Sequence, residues 1–231
     1  MSALTARLLP NPDTTRNAWV RAYLKKLKPG LKLLDAGCGP QPFRPDCAHL
    51  KYHAQDFGQY EGKDDGTGSL HDGSRWHYGK LDYTGDIWNI KGAKNASFDV
   101  ILCTEVFEHI PYPVETMREF GRLLKKGGIA IVTAPVDCLP HQTPYFFYHG
   151  FSKQFYQRAG ADAGLKLTHY QTYSGAIDFL LLESYRVFRS GPWLAKPFAA
   201  VAVLPLLLAR LLGLQGPEHP CFGGIAVLKK T

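Results

Sequence analysis

The feature that most constrains this chain is a short apolar run that ends in an acid and a glycine turn, at residues 31–39 (LKLLDAGCG). Leu31 to Leu34 suit a buried strand, and Gly37 and Gly39 permit backbone angles and a close ligand approach that a Cβ atom would obstruct. The stretch lacks the third glycine of the dinucleotide fingerprint, because Pro42 stands there, and it lacks the Gly-Lys-Ser/Thr ending of the P-loop. It therefore predicts another kind of ligand-binding turn, with a junction that merely needs glycines as the alternative.

The acid that closes this strand narrows the choice of ligand. A carboxylate at Asp35 can hold a cationic or hydroxyl-bearing ligand, whereas it would repel a pyrophosphate. Asp56 lies 21 positions later, at the end of a second predicted strand. A βαβ unit brings a carboxylate to a cofactor ribose at about this distance. S-adenosylmethionine, a sulfonium compound with a ribose diol, fits both acids.

Length and composition indicate one folded unit. With 231 residues, 45% of them hydrophobic, the chain can bury a substantial core. We expect a single domain over 1–231, with its core at about 15–172 plus 220–230. The five cysteines are odd in number and form no Cys-x-x-Cys pair, which favours a reducing compartment and no zinc knuckle. The first twenty residues have no cationic start followed by an apolar block, so we expect no signal peptide and a cytoplasmic location.

The net charge of +7 raises the question of a nucleic-acid partner. Lysine and arginine are spread along the chain rather than clustered, which favours a basic soluble enzyme and argues against nucleic acid. The stretch Gly58–Ser74 is rich in glycine and aspartate and predicts a mobile loop.

Strand and helix signals alternate along the chain. Helices are predicted at about Thr15 to Leu27, from Pro113 to a stop at Gly127-Gly128, and from Ser152 to near Gly164. Strands are predicted at 31–34, 52–56, a segment running to 86–87, 98–103, 129–133, 165–172 and 221–229.

This alternation predicts an α/β fold with a doubly wound, mostly parallel seven-stranded sheet and a helical insertion before the last strand. Ligands of such sheets bind at the carboxyl ends of the strands. Asp35, Asp56, Asp86 and Thr104 all map to that edge. Their agreement is stronger support for a site than any one of them.

Three stretches carry a family resemblance: residues 33–39 (LLDAGCG), 97–110 (SFDVILCTEVFEHI) and 119–128 (EFGRLLKKGG). With them the chain resembles class I S-adenosylmethionine-dependent methyltransferases of the type 11 group, over roughly residues 15–172 and the last strand. The resemblance implies a Rossmann-like methyltransferase fold and S-adenosylmethionine as cofactor.

The resemblance also implies a cofactor site, although Pro40, Pro42 and the insertion Gly58–Ser74 depart from the family pattern. It places the methionine part of the cofactor against Asp35, Ala36, Gly37, Cys38 and Gly39, the ribose hydroxyls on Asp56, the adenine against Phe57, Asp86 and Ile87, and the sulfonium over a floor of Thr104 and Glu105.

The cofactor's sulfonium already activates the methyl group, so the protein must mainly align a nucleophile and exclude water. A hydroxyl nucleophile also needs a base, and His109 and His141 are the candidates. For Glu108-His109 the alternative is a helix-start pair held by hydrogen bonds. The loop after the fifth strand carries aromatic residues beside polar tips, which suit a ring-shaped or sugar-like acceptor or simply pack on the domain. Its candidate substrate contacts are His141, Tyr145, Tyr148 and His149.

A metal ion is a further candidate cofactor. Glu105, Glu108 and His109 match a Glu-x-x-Glu-His pattern seen in metal-dependent methyltransferases, including some that act on RNA 2′-hydroxyls and some that act on quinone precursors. Mg²⁺ or Mn²⁺ would suit these ligands, with His141 or His149 as one more. Many family members carry a similar string without known metal, so a site without metal is favoured.

An uncharged apolar run, residues 197–209 (PFAAVAVLPLLLA), lies within the predicted insertion at about 173–219. It is shorter than the roughly twenty apolar residues that a bilayer span needs. The segment 193–214 is therefore predicted to be a lid, a dimer face or a peripheral membrane anchor with Lys196 and Arg210 near its ends, or to pack on the sheet. Both a monomer and a homodimer remain open.

Together these observations favour methyl transfer to an oxygen of a small-molecule acceptor, namely a sugar, a polyketide-like compound or a phenol. One alternative is a metal-dependent RNA 2′-O-methyltransferase, which the lack of a basic arm or aromatic RNA platform disfavours. Another is a non-catalytic binding partner that keeps the fold. The intact set of Asp35, Gly37, Gly39, Asp56 and Asp86 argues against that last alternative.

Overall fold

A sheet of seven strands organises the chain, for which a computed structural model describes residues 8–61, 77–214 and 216–231. The strands are β1 (Lys32–Ala36), β2 (Lys51–Asp56), β3 (Tyr83–Thr84), β4 (Phe98–Thr104), β5 (Leu124–Pro135), β6 (Leu165–Tyr173) and β7 (Gly223–Lys230). In space they lie in the order β3-β2-β1-β4-β5-β7-β6, and the paired neighbours are parallel except where β7 is involved. The predicted mostly parallel, doubly wound sheet is confirmed.

The helices of the described residues are α1 (Pro12–Leu24), α2 (Pro113–Leu123), α3 (Lys153–Asp162), α4 (Ala176–Ser190) and α5 (Lys196–Leu211). Short 3-10 turns lie at Arg44–Cys47, Phe107–His109 and Trp193–Ala195. The side chain of Asn11 caps α1 by accepting a hydrogen bond from the Thr14 N–H at 3.1 Å. Ser152, predicted as a cap, accepts from the Phe155 N–H at 3.2 Å.

Strand β5 begins earlier than predicted. Helix α2 ends at Leu123 and not at Gly127-Gly128, because Leu124 already pairs with Phe98 of β4. The register shifts after this pair, and Gly127 has a φ of +78°. The two glycines therefore make an irregular part of the strand rather than a helix stop.

Strand β3 is shorter than the predicted third segment. Its two residues pair with Gln55 and Asp56 of β2, so Asp86 and Ile87 follow the strand in a loop instead of closing it. The predicted mobile loop Gly58–Ser74 lies outside the described residues from position 62 onward.

Both faces of the sheet are buried, as β4 illustrates. Val100 and Leu102 pack on one face with Val20 and Leu24 of α1. The alternate β4 residues Ile101 and Cys103 pack on the other face with α2 and α3. A strand buried on both sides is what the continuous apolar run predicts. All five cysteines are free thiols.

Helices α4 and α5 form the predicted insertion as an antiparallel hairpin. Its two ends meet where the Ala176 N–H donates to the Pro217 carbonyl at 3.2 Å. An 18-residue window of the stretch Trp193–Leu211 has a mean hydropathy of 1.7, so the stretch is long and apolar enough, by length and composition, to cross a membrane. The expectation that it is too short was wrong, because the helical stretch extends beyond the run 197–209 in both directions.

Candidate active site

A cavity of about 540 Å³ opens at the carboxyl edge of the sheet. Its walls come from α1, from the turns after β1 to β4 and from the loop after β5. Doubly wound sheets bind ligands at this edge, and the volume is that of a small-molecule site. The predicted site residues that line it are Gly37, Cys38, Gly39, Asp56, Phe57, Asp86, Ile87, Thr104, Glu105, Glu108, His109, His141 and Tyr145.

The turn after β1 has to be made of glycines. Gly37 and Gly39 have φ values of +71° and +49°, in the left-handed region. A Cβ atom on Gly37 would overlap the methyl groups of Val106. The N–H groups of Gly37 and Cys38 donate to the Gln55 carbonyl at 2.9 and 3.0 Å, which fixes the turn against β2. The turn thus presents bare backbone to the cavity.

Asp56 ties this turn to the end of β2. Its Oδ2 accepts from the Gly39 N–H at 2.9 Å and its Oδ1 from the Gly58 N–H at 3.0 Å. Burial raises the pKa of Asp56, and the two backbone hydrogen bonds oppose that shift. Since each carboxylate oxygen can accept more than one hydrogen bond, Asp56 can still receive a donor from a ligand.

Asp35 lies behind the turn rather than in the cavity wall. Its side chain is buried, and the Tyr52 hydroxyl donates to its Oδ2 at 2.5 Å. Burial raises the pKa of Asp35 to about 7, the Tyr52 hydrogen bond opposes this shift, and the charge of Asp56 adds to it. Asp35 and Ala36, predicted as cofactor contacts, do not line the cavity.

Aromatic side chains form one wall of the cavity. The rings of Phe57 and Tyr60 both meet Tyr145 edge to face, with centroids 5.1 and 6.4 Å apart. Asp86 and Ile87 line the same cavity from the loop after β3. A wall of this kind suits a flat ring.

Glu105 is held by an ion pair with the first helix. Arg16 of α1 places Nη1 3.1 Å from Oε2 of Glu105, and the Thr133 hydroxyl donates to Oε1 at 2.8 Å. The Tyr173 hydroxyl donates to the same carboxylate at 3.4 Å. Glu105 has a φ of +53°, so the backbone turns sharply where β4 ends.

Glu108, His109 and His141 form a second cluster in the cavity. One potential ligand atom of each lies within 4.8 Å of the others, and Oε1 of Glu108 is 3.6 Å from Nε2 of His109. Glu108 is only 1% exposed, and its Oε2 has no hydrogen-bond partner among the described residues. Burial, with the charge of Glu105 adding to it, raises the pKa of Glu108 well above its usual range.

Backbone carbonyls orient both histidine rings. Nδ1 of His109 is 2.7 Å from the Tyr145 carbonyl, and Nδ1 of His141 is 2.9 Å from the Leu139 carbonyl. A carbonyl only accepts hydrogen bonds, so each Nδ1 carries the proton and each Nε2 carries the lone pair when the ring is neutral. The rings lie edge to face with centroids 4.8 Å apart. Both Nε2 atoms can therefore accept a proton or bind a metal.

Tyr148 and His149, predicted as substrate contacts, lie outside the cavity. The Tyr148 hydroxyl donates to the Pro111 carbonyl at 3.1 Å, and Nδ1 of His149 donates to the Cys138 carbonyl at 2.9 Å. The loop has no regular period that tells which side chains turn inward. Cavity-lining residues that the sequence did not predict include Asp13, Arg16, Asn17, Gln55, Tyr60, Tyr78 and Trp88.

The group that can hold a metal ion contains Glu108 and His109 of the predicted set, with His141 as the further ligand. The predicted Glu105 does not belong to it and is engaged by Arg16. One carboxylate with two imidazoles suits a transition-metal dication better than Mg²⁺, which prefers oxygen ligands. The buried, unpartnered Oε2 of Glu108 fits such a ligand role.

Comparison with known proteins places this geometry in context. A family model described as a methyltransferase domain matches residues 11–175. The ubiquinone biosynthesis O-methyltransferase of Nitrosococcus oceani is 31% identical over 101 residues, which cover 43% of this chain and 41% of that protein. The match thus spans about two fifths of this curated relative's own length.

Solved structures agree in fold. The [4+2]-cyclase SpnF superposes with a TM-score of 0.56 at 18% identity, covering 93% of this chain and 80% of that one. The phosphoethanolamine N-methyltransferase 2 of Haemonchus contortus, in complex with S-adenosyl-L-methionine, gives a TM-score of 0.56 at 16% identity, covering 94% and 52%. At these identities the structures show the fold alone, and their different chemistries illustrate that this fold does not fix a reaction.

Proposed function

This chain belongs to the methyltransferase domain family, and from that premise we propose that it transfers the methyl group of S-adenosylmethionine to a hydroxyl oxygen of a small phenolic acceptor. The observation that carries this proposal is the pair His109 and His141. Both present Nε2 as the lone-pair nitrogen, in a cavity that also contains the glycine turn.

The cofactor is proposed to lie along the carboxyl edge of the sheet. The turn Gly37–Gly39 offers bare backbone to the methionine part, and Asp56 accepts hydrogen bonds from the ribose hydroxyls. Phe57, Asp86 and Ile87 flank the adenine. Asp35 acts from behind the turn as a support, because it does not line the cavity.

The reaction needs little from the protein beyond alignment and a base. The acceptor oxygen attacks the methyl carbon in line with the C–S bond, the O–C bond forms as the C–S bond breaks, and S-adenosylhomocysteine leaves with the electron pair. The hydroxyl proton passes to Nε2 of His109 or His141. Exclusion of water by the aromatic wall favours transfer to the acceptor over hydrolysis.

A phenol is favoured among the possible acceptors for two reasons. The rings of Tyr60 and Tyr145, which the proposed adenine site does not use, line the cavity and suit a flat ring. The curated relative is also named for O-methylation in ubiquinone biosynthesis. Sugars and polyketide-like compounds are the other acceptors that a screen must contain.

Calorimetric titration with S-adenosylhomocysteine tests the cofactor site. We expect Asp56→Ala to weaken binding by about a hundredfold or more, because two hydrogen bonds to a charged group, each worth about 1.5–3 kcal/mol, are lost. The control is Asp162→Ala on the exposed end of α3, which should bind like the wild type. A wild-type protein that does not bind, or an Asp56→Ala variant that binds equally well, would contradict the proposed site.

A screen with methyl-labelled cofactor tests the reaction. Phenols, sugars, polyketide-like compounds, amines, thiols and RNA are supplied separately, and we expect label on the oxygen of a phenol. Replacing the base, by His109→Gln or His141→Gln, should lower the rate about 10²- to 10⁴-fold, with His169→Gln on β6 as the control. Transfer to nitrogen or sulfur alone would refute the proposal.

A second candidate, metal-assisted O-methylation, is favoured by the cluster of Glu108, His109 and His141. A bound dication would orient a diol or catechol oxygen and lower its pKa. We expect Mn²⁺ to bind in calorimetry and Glu108→Gln to weaken it. Full activity after chelation, with no Mn²⁺ binding, would exclude this candidate and with it the RNA 2′-hydroxyl variant of the reaction.

The proposal includes a cytoplasmic location and a monomeric or homodimeric state. Cell fractionation tests the location, and light scattering of the purified protein tests the oligomeric state. Neither outcome changes the chemistry of the cavity.

A further inference from the structure

Helix α5 presents an apolar face that no described residue covers. The large side chains of this face are between 58% and 79% exposed. They recur every three or four residues, so they share one side of the helix. They are Phe198, Val201, Leu204, Leu208 and Leu211.

The tip of the hairpin between α4 and α5 continues this face. Trp193 and Leu194 are 75% and 61% exposed. Arg189 and Lys196 flank them, and both cations lie at the surface. Tryptophan with flanking basic residues is typical of segments that lie at the surface of a bilayer.

The tip of the hairpin carries positive charges that no acidic side chain of the described residues neutralises. Asp178 pairs with Arg210 at 2.8 Å, and Glu183 pairs with Arg186 at 3.1 Å, so both acids of the hairpin helices are neutralised. Arg189 has no ion pair among the described residues, and the same holds for Lys196. The tip therefore carries two uncompensated positive charges next to exposed apolar side chains, on a chain whose net charge is +7.

The base of the hairpin excludes a simple crossing by α5. The Ala176 N–H bonds the Pro217 carbonyl, so the chain leaves the sheet and returns to it at one place. If α5 crossed a bilayer, α4 would have to cross with it. Helix α4 carries Glu183, Arg186 and Arg189, whose burial in hydrocarbon would be costly. The hairpin can instead lie on one side of a membrane.

We propose that this hairpin docks on an anionic lipid bilayer, with Trp193 and the outer face of α5 entering the interface and with Arg189 and Lys196 on the lipid head groups. A second copy of this chain would offer the same positive tip, whereas an anionic bilayer offers the opposite charge. The apolar face then loses its contact with water, which is the main gain of such docking.

Helix α5 contacts the segment that leads into α1, a helix of the cavity wall. Nη1 of Arg210, on α5, lies 3.4 Å from the Leu8 carbonyl, four residues before α1 begins. Asp13, Arg16 and Asn17 in the first turns of α1 line the cavity. A docked hairpin would thus hold this edge of the sheet near the membrane. An acceptor with an apolar tail would then be within reach of both the membrane and the cavity.

Vesicle flotation of the full chain tests the docking. The vesicles are phosphatidylcholine alone or phosphatidylcholine with about one third phosphatidylglycerol. We expect binding to the anionic vesicles that weakens with salt, because the cations at the tip are exposed. Arg189→Glu with Lys196→Glu should lower the partition coefficient about thirtyfold or more, since each of the two lost cations contributes about 1 kcal/mol near such a surface.

Two further variants distinguish binding through the apolar face from nonspecific hydrophobic binding to vesicles. Trp193→Ser with Phe198→Ser should abolish binding, whereas Leu139→Ser removes an exposed leucine from the loop after β5 and should leave binding unchanged. Brominated lipid should quench the fluorescence of the wild type but much less that of Trp193→Phe. Cofactor binding is measured on the same variants, so that loss of docking is distinguished from loss of the fold or of the proposed function.

Two results would overturn the docking. One is equal binding of the charge-reversed variant and the wild type to anionic vesicles. The other is a wild-type protein that does not bind vesicles and is dimeric by light scattering, while the variant with Trp193→Ser and Phe198→Ser is monomeric. The second result would assign the face to another copy of the chain.

Discussion

Replacing Gly37 by alanine tests whether geometry requires the glycine turn. Two separate costs are expected at this position. The φ of +71° is unfavourable for any residue with a Cβ atom, and that Cβ atom would overlap the methyl groups of Val106.

The two costs can be given magnitudes. A left-handed conformation costs an L-residue about 1–2 kcal/mol. Forcing an extra carbon into a packed site costs about 1–3 kcal/mol. Their sum predicts that Gly37→Ala lowers the free energy of unfolding by about 2–5 kcal/mol.

Urea unfolding followed by circular dichroism measures this change in the free energy of unfolding. Two matched variants separate the conformational cost from the cost of the overlap with Val106. Gly30 has a φ of +81°, and no described atom lies within 4 Å of the place that a Cβ atom would take, so Gly30→Ala should show the conformational cost alone. Adding Val106→Ala to Gly37→Ala removes the overlap. The double variant should therefore be more stable than the sum of the two single changes predicts, by about 1–3 kcal/mol.

The requirement for glycine at position 37 would be refuted by a Gly37→Ala variant that unfolds at the same urea concentration as the wild type. It would be refuted in part if Gly37→Ala cost no more than Gly30→Ala, because the overlap with Val106 would then be absent. Strict additivity of Gly37→Ala and Val106→Ala would lead to the same conclusion.

Two further predictions concern buried charges. Arg16→Met should destabilise the protein by about 2–4 kcal/mol, because it strands Glu105 in a largely buried site. Arg21→Met on the same helix removes an exposed arginine and leaves Asp46 paired with Lys25 at 3.8 Å, so it should cost less than about 1 kcal/mol; urea unfolding measures both. Burial raises the pKa of Asp35 from 3.8 to about 7, so the folded state holds a proton that the unfolded state releases, and stability should fall as the pH rises between these two values. This decrease in the free energy of unfolding amounts to up to about 4 kcal/mol, and Asp35→Asn should abolish it. If urea unfolding of Asp35→Asn showed the same pH dependence as the wild type, the decrease could not be due to Asp35.

The parts of the fold that follow from local chemistry were predictable. Gly37 and Gly39 take positive φ, Ser152 caps its helix, and β4 is buried on both faces. Each depends on a few neighbouring residues. The end of α2 was missed because the pairing of Leu124 with Phe98 is a tertiary contact that outweighs the glycine signal.

Long-range contacts in the candidate site could not be predicted. Arg16 reaches Glu105 across 89 positions of the chain, and nothing near Arg16 in the sequence indicates this partner. Tyr148 and His149 were expected in the cavity, but an irregular loop does not reveal which side chains turn inward. The hairpin was located correctly, yet the length of its apolar helix depends on flanking residues that the apolar run did not include.

The separation of Glu105 from Glu108 has a chemical consequence. The sequence pattern sets these acids three positions apart and suggests that they act together, but the sharp turn at Glu105 directs it toward Arg16 and Tyr173. Glu105 is therefore paired with a cation, while burial raises the pKa of Glu108 beside His109. The raised pKa lets Glu108 hold a proton beside His109. Because the Arg16 charge also opposes the raised pKa of Glu108, Arg16→Met should shift the pH dependence of methyl transfer even though Arg16 does not belong to the Glu108 cluster. If Arg16→Met and the wild type had the same pH–rate profile, Glu108 would take no part in the chemistry of the cavity.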